Sequence, residues 1–401
     1  MEHPHLVVRA GHPDFLDLPW EESLTTWRHE RLMDLPKGVS RHEVRFVGYD
    51  QGIYAVKELN LDAASREYHA LRDLEDLDAP SVRPVGLVER SWLSPDREDA
   101  AAVITEYLSH SFSYRELLSG WGFGDRRSQM LDAFAGLLAE LHLLGCFWGD
   151  CSLSNVLYRY DADAIRATMV DAETAALYSD LSGGKRDHDI SIMIENVAGG
   201  MADIAASQGV DLDEADLDLG EDIAERYGGL WAEVTDEDVI GPDQRFRITE
   251  RIRRVNDLGF EVEDVDLQPI ENGARIRLKL TVGGRLFHTR RLRRLTGVEA
   301  TEHQARQILT DLARHEAALH ADTAAARSLA AMRWRIEVFE PILAQIRTAA
   351  SEVGDAVQAF CDLLHHRFEM ASARGSDIPN DEALADWVAA GRPGYPLDRP
   401  Q

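Results

Sequence analysis

The chain has 401 residues, of which 44% are hydrophobic and 28% charged. That size and balance exclude a disordered polymer and a disulfide-stapled miniprotein, and they suggest two or three domains. With 43 basic residues against 71 acidic ones the net charge is −28, which repels polyphosphate backbones over most of the surface and disfavours nucleic acid as a partner. Cys146, Cys151 and Cys361 are too widely spaced for a disulfide framework or a zinc pattern and fit a reducing compartment. The start lacks a basic segment followed by an apolar run. The best apolar window, 133–148, carries Glu140 and His142 and is shorter than the roughly 18 residues of a membrane span. The expected location is cytoplasmic, with no integral membrane segment. Only four cations are lysines (Lys37, Lys57, Lys185, Lys279), so each invites the question of what arginine could not do there.

Residues 43–59 predict a β-hairpin: Val44 and Phe46 alternate with polar neighbours, Asp50-Gln51-Gly52 is turn chemistry, and Tyr54-Ala55-Val56 resumes a strand. Residues 62–77 predict a helix with Tyr68, Leu71 and Leu74 on one stripe. A buried strand at 101–108 and an apolar helix at 127–145, stopped by Gly145, come next. Short strands at 155–158 and around 167–170 follow, then a helix over 188–208. Residues 210–238 hold twelve acids and one arginine and read as a solvated stretch and a domain boundary. Beyond it we expect a basic helix at 245–257 and a three-strand meander at 264–270, 275–282 and 285–291, turning at Asn272-Gly273 and Gly283-Gly284. The Ala-rich remainder to about 390 is expected to be helical.

Four elements occur in one order: Lys57 at a strand end, Glu67 on the next helix, the loop Gly149-Asp150 to Asn155, and Asp171 after a further strand. Phosphoryl transfer from ATP needs these residue types. A lysine grips phosphates and a glutamate holds it, an aspartate meets the acceptor hydroxyl, and an asparagine and a second aspartate hold Mg²⁺. The stretch Thr168-Met169-Val170 can pair with 155–158, which would bring Asn155 and Asp171 together. A compact ammonium fits between phosphate oxygens and a glutamate better than a guanidinium fork does.

AVK, a helical Glu, GDxxxxN and a strand ending in Asp resemble the protein-kinase-like superfamily, closest to small-molecule and lipopolysaccharide kinases, which use a GD loop in place of HRD. The longer string GVSRHEVRFV, YAVKEL, REYHALR, WGDCSLSNVLY and VDAETA, with RITERIRRVNDLGFEVED further on, resembles a bacterial family of unknown function that joins a lipopolysaccharide-kinase-like half to a distinctive C-terminal half. The kinase-like resemblance covers about residues 30–205. It implies an α+β, bilobal protein-kinase-like fold with a C-terminal extension of a small antiparallel meander plus helices. The expected division is an N-lobe at 1–107, a helical C-lobe at 108–240, a basic helix plus meander at 241–300, and a helical region at 301–401. It implies ATP and Mg²⁺ as cofactors. Lys57 would bind phosphates with Glu67 as its partner, Asp150 would be the catalytic carboxylate, Asn155 and Asp171 would hold magnesium, and the exit of the 101–108 strand, Glu106 to Leu108, would read adenine.

The sequence departs from the kinase pattern in places. No GxGxxG precedes the AVK strand; the candidate phosphate lid is 36–42, with Gly38, Ser40 and Arg41. DFG is replaced by Asp171-Ala172-Glu173, and only 17 residues separate Asp171 from Asp189, too few for a peptide-docking platform. The acceptor is therefore expected to be a hydroxyl of a small molecule, sugar or glycolipid. The alternative is a catalytically inactive nucleotide-binding sensor or scaffold. Glu173 reads as a solvated or capping carboxylate, Cys151 as buried filler, and His142 as a satisfied core histidine. Asp187 and Asp189 read as anchors of the catalytic loop through backbone hydrogen bonds. Tyr114-Arg115 reads equally as substrate contact or helix packing. In the meander, alternation puts Arg275, Arg277 and Lys279 on one face, with His288 and Arg290 joining them and Arg291, Arg293 and Arg294 following. That face would suit an anionic ligand, or would simply be solvated and partly neutralised by Asp266 opposite Lys279.

Overall fold

The computed structural model describes residues 3–35, 41–118, 124–209, 211, 214–241, 243–349 and 354–394. The chain divides into two compact units, one of residues 1–120, 130–158 and 167–230, the other of residues 121–129, 159–166 and 231–401.

The first unit begins with strands β1 (His5–Val8), β2 (Leu32–Met33), β3 (Val44–Tyr49) and β4 (Gly52–Leu59). The hairpin lies where the alternation put it: Tyr49 pairs with Gly52 across the two-residue turn. Helix α1 (Leu61–Asp76) follows, its first turn capped by the Asn60 side chain, which accepts from Ala63 N. Strands β5 (Pro84–Glu89) and β6 (Ala101–Glu106) complete an antiparallel sheet of order β1-β5-β6-β4-β3-β2. Side chains alternate across a strand. Tyr54 and Val56 of β4 therefore join a core with Phe15, Trp20 and Trp27, contributed by the segment before β2. Leu59 shares the other face with Ala63, Tyr68 and Val103, under α1, and Lys57 is on that face.

The elements that follow are mostly helical: β7 (Phe112–Ser113), α2 (Tyr114–Leu118), α3 (Gly124–Leu143), β8 (Cys146–Phe147), β9 (Val156–Asp161), β10 (Ala164–Met169), β11 (Ala176–Leu177), α4 (Gly183–Gln208), α5 (Glu214–Leu217) and α6 (Leu219–Thr235); residues 124–129 of α3, 159–166 of β9, β10 and their turn, and 231–235 of α6 count with the second unit. From Ala133 to His142 helix α3 is buried on every side, as a helix inside a core is. The chain leaves it at Gly145 with φ +82°, where a Cβ would come within 2.0 Å of the Tyr178 carbonyl oxygen; only glycine fits. The acidic stretch 210–238 is not merely solvated: Leu219, Ile223 and Tyr227 recur every four residues and are buried, so a helix forms with its acids outward.

The second unit adds β12 (Asp238–Ile240), α7 (Phe246–Asp257), β13 (Val262–Ile270), β14 (Arg275–Val282), α8 (Phe287–Thr296), α9 (Glu302–Ala318), α10 (Ala324–Trp334), α11 (Glu340–Ala349), α12 (Ala356–Arg374) and α13 (Asn380–Ala389). Asp161, buried in this unit, caps α9 by accepting from the Thr301 hydroxyl at 2.6 Å and Gln304 N at 2.8 Å. The core gathers Leu292, Ile308, Trp334, Phe360 and Trp387.

The expected meander is half right. β13 and β14 form the hairpin with Asp266 opposite Lys279. The third strand, however, is β12 from before α7, and residues 285–291 open a helix instead. His288, Leu292 and Thr296 are its buried residues, a spacing of four that a search for alternation misses. The Glu302 carboxylate accepts from His288 N and Thr289 N at 2.8 and 3.0 Å, satisfying donors that the first turn leaves open. His288 is thus buried and paired rather than part of a cationic sheet face. On that face Arg275 and Arg277 lie within 3.7 and 3.6 Å of Glu271 and Glu237, which makes it a neutralised, solvated face. Among the described residues no helix is long and apolar enough to cross a membrane.

Candidate active site

Strand β4 delivers Lys57 and helix α1 delivers Glu67 from its second turn. The Lys57 ammonium lies 3.1 Å from Glu67 Oε2 and 2.6 Å from Asp171 Oδ2. Burial works against the charge on Lys57, but the two carboxylates outweigh it and raise its pKa. Asp171 is pulled down by the same contact, which overcomes its own burial. Glu67 is fully buried, and burial dominates over the attraction of Lys57, so its carboxyl is pushed up to about 7.

The loop after β8 is held from below. Asp189 on α4, itself buried, accepts from Trp148 N at 2.7 Å and Gly149 N at 2.8 Å, the backbone role expected of it. His142 packs against it, 3.2 Å away, with burial lowering its pKa. Gly149 adopts φ +80°, and a Cβ there would meet Thr174 O at 3.1 Å. These constraints aim the next residue, Asp150. Its Oδ2 accepts from Asn155 Nδ2 at 3.1 Å and its Oδ1 from Asn196 Nδ2 at 3.1 Å. The anticipated strand pairing is present: Val170 N donates to Asn155 O at 3.0 Å, so the residues bearing Asn155 and Asp171 are neighbours. The Trp148 indole donates to Asp171 O at 3.0 Å. Cys151 is buried filler, its thiol pushed well above the usual range by burial.

Lys57, Glu67, Asn155 and Asp171 line one cavity of about 440 Å³ together with Glu106 and Leu108. Its apolar wall includes Val44, Val103 and Leu157, a slot of the kind that takes a flat ring. Tyr107 N is tied to Ile53 O and Glu106 N to Arg83 O, both at 2.9 Å, which fixes the strand exit. Arg115 lines the cavity, whereas Tyr114 is buried in helix packing.

Gly38 and Ser40 of the expected lid lie outside the described residues. Arg41 does reach the acid cluster, through Glu173: Arg41 Nη2 donates to Glu173 Oε2 at 2.9 Å, and His42 Nε2 lies 3.0 Å from the same oxygen. Glu173 is therefore neither solvated nor a cap, and the Arg41 pKa is raised because Glu173 outweighs the effect of burial. Asn196 was not anticipated. It sits seven residues after Asp189 on α4, two turns along the same face, and that spacing was the available signal.

The donor set suits Mg²⁺. Asp171 is a carboxylate, and Asn155, with its nitrogen spent on Asp150, presents its amide oxygen. Among the described residues no group of three or more His, Cys, Asp or Glu could form a dedicated metal cage. One or two protein oxygens completed by substrate phosphates is how Mg²⁺ is usually held.

An antiparallel sheet with one helix beneath it, a strand exit leading to a helical lobe, and a Lys–Glu–Asp cluster over an Asp–Asn loop define a protein-kinase-like fold. Residues 51–205 match the family described as Lipopolysaccharide kinase (Kdo/WaaP), and residues 229–391 match the Domain of unknown function (DUF4032). The pairing of a lipopolysaccharide-kinase-like half with a distinctive C-terminal half is the one the sequence resembled. Among solved structures, "WaaP in complex with acyl carrier protein" matches with 16% identity over 63% of this chain and 98% of that one, at a TM-score of 0.37. A Rio2 kinase–ADP/Mg²⁺–phosphoaspartate complex from Chaetomium thermophilum matches with 12% identity over 50% of this chain and 69% of that one, at 0.30. No curated protein matches.

Proposed function

We propose that this chain transfers a phosphoryl group from ATP to a hydroxyl of a small molecule, sugar or glycolipid. The observation that carries the reading is the convergence of Lys57, Glu67, Asn155 and Asp171 on one cavity with an apolar slot at its strand exit. Glu67 would hold the Lys57 ammonium for nucleotide phosphates, and the backbone between Glu106 and Leu108 would meet the base. Asn155 and Asp171 would hold magnesium, which when bound neutralises charge on the phosphates. Asp150, with each carboxylate oxygen held by an amide, is positioned to orient the acceptor hydroxyl and accept its proton. Lys57 cannot serve Asp171 and a phosphate at full strength together, so substrate binding is expected to loosen the 2.6 Å contact. The family matched by residues 51–205 favours a sugar or glycolipid acceptor over a peptide.

The test is Mg²⁺-dependent ATP turnover, with and without glycolipid acceptors, for the wild type and Asp150→Ala. We expect the variant to lose on the order of a hundredfold or more in rate while still binding nucleotide. Equal turnover in both would remove the catalytic assignment. Nucleotide binding without turnover in the wild type would favour the sensor reading.

A further inference from the structure

Three helices of the second unit, α8, α9 and α10, pack against one another and border an open cavity of about 910 Å³. Its lining includes four arginines, Arg291 and Arg294 from α8, Arg306 from α9 and Arg327 from α10, together with Phe287 and Leu295. Two acids, Asp257 and Glu316, also line it. His288 reaches it as well, but Glu302, 2.7 Å away, balances it.

In a chain of net charge −28, exposed arginines readily find carboxylates, and in this unit many do. Arg290 pairs with Glu261 at 2.5 Å and Arg293 with Glu299 at 2.5 Å. Their neighbours on the same helix, Arg291 and Arg294, make no ion pair among the described residues. Arg327 donates only to a backbone carbonyl, Asp322 O, at 3.3 Å. Arg306 donates to both carboxylate oxygens of the exposed Asp163, at 3.3 and 3.4 Å. Of the four guanidiniums that line the cavity, Arg291, Arg294 and Arg327 therefore make no ion pair among the described residues.

We infer that this cavity binds a phosphate-bearing ligand, its phosphomonoester or pyrophosphate engaged by Arg291, Arg294, Arg306 and Arg327 and its apolar part set against Phe287 and Leu295. With Arg306 paired to Asp163, Arg291, Arg294 and Arg327 stand against Asp257 and Glu316, a net positive lining that favours an anion. Guanidinium forks bind phosphate oxygens two at a time, which explains why the cations here are arginines. The volume exceeds what a phosphate alone fills and lies in the range of small-molecule sites. The ligand is either a soluble phosphorylated molecule or a lipid headgroup, since both present the same group. None of its lining residues lines the cavity around Lys57.

The test uses the full chain. Inorganic pyrophosphate is titrated by calorimetry into the wild type, Arg291→Ala/Arg294→Ala and Arg290→Ala/Arg293→Ala, the last pair lying on the same helix but outside the cavity lining. We expect affinity to fall at least about tenfold in the first double variant, as befits two lost charge-assisted contacts, and to be kept in the second. Co-sedimentation with phosphatidylcholine vesicles containing phosphatidic acid separates the sources. Sedimentation that disappears in the first double variant assigns a lipid headgroup, and pyrophosphate binding without sedimentation assigns a soluble ligand. The proposal is overturned if neither probe binds, or if the first double variant binds as the wild type does.

Discussion

The cleft of the first unit and the cavity of the second handle charge in opposite ways. In the cleft one buried lysine, Lys57, is held by two carboxylates, Glu67 and Asp171. In the cavity exposed arginines outnumber the acids, and Arg291 and Arg294 make no ion pair among the described residues. The contrast teaches that a buried, mutually satisfied set is part of the fold as well as of the chemistry, whereas an exposed, unsatisfied one can be removed without harm to the fold. The choice of cation agrees. The compact ammonium, scarce in this chain, is used where it must fit between two carboxylates, and the fork is used where an anion is to be grasped.

That comparison can be broken at several points. The largest effect is expected for Lys57→Met, which should lower ATP turnover by on the order of a hundredfold or more, read in steady-state kinetics; turnover within twofold of wild type would detach the lysine from the chemistry. Next, Asp189→Ala leaves two backbone N–H groups without their acceptor and should cost on the order of 3 kcal/mol in urea unfolding; a loss no larger than a surface substitution would contradict its anchoring role.

A third test uses pH. The folded pKa of Glu67, about 7, lies above its ordinary 4.5. Its contribution to stability is fully present below about pH 4.5 and is lost as pH rises through about 7. Lys57 is raised and Asp171 lowered, so those two titrate outside this window. Melting of the wild type relative to Glu67→Gln should therefore decline between those pH values, and a flat difference would refute the buried state of Glu67. The smallest effect is expected for Arg291→Ala/Arg294→Ala, whose stability should stay within about 0.5 kcal/mol of wild type. A loss of several kcal/mol would make those arginines structural and erase the contrast.

Much of the cleft was legible because its signals are local. Alternation around Lys57, the five-residue step from Asp150 to Asn155, and an aspartate at a strand end each survive in a short window. What was not legible depends on distant partners. Trp20 and Trp27 cover the outer sheet face from a segment with little regular structure, and Glu58 is buried with Arg90 at 2.6 Å although 32 positions separate them. Asn196 reaches Asp150 from another helix. The meander failed for a different reason. Residues 285–291 carry alternating cations that imitate a strand, but Leu292 and Thr296 extend a period of four, and the cap comes from Glu302, beyond the window in which the strand was read. The unpaired arginines were noticed as a cluster, and only the helix shows which of them turn to a cavity.

The most direct test of the central claim is a crystal structure of the chain with Mg²⁺ and a non-hydrolysable ATP analogue. The base is expected against Glu106 to Leu108, the metal on Asn155 and Asp171, and Lys57 shifted from Asp171 to the phosphates with Glu67 still beside it. A nucleotide bound elsewhere, or a cleft in which Lys57 and Asp171 remain paired with no nucleotide between the lobes at saturating concentration, would contradict it.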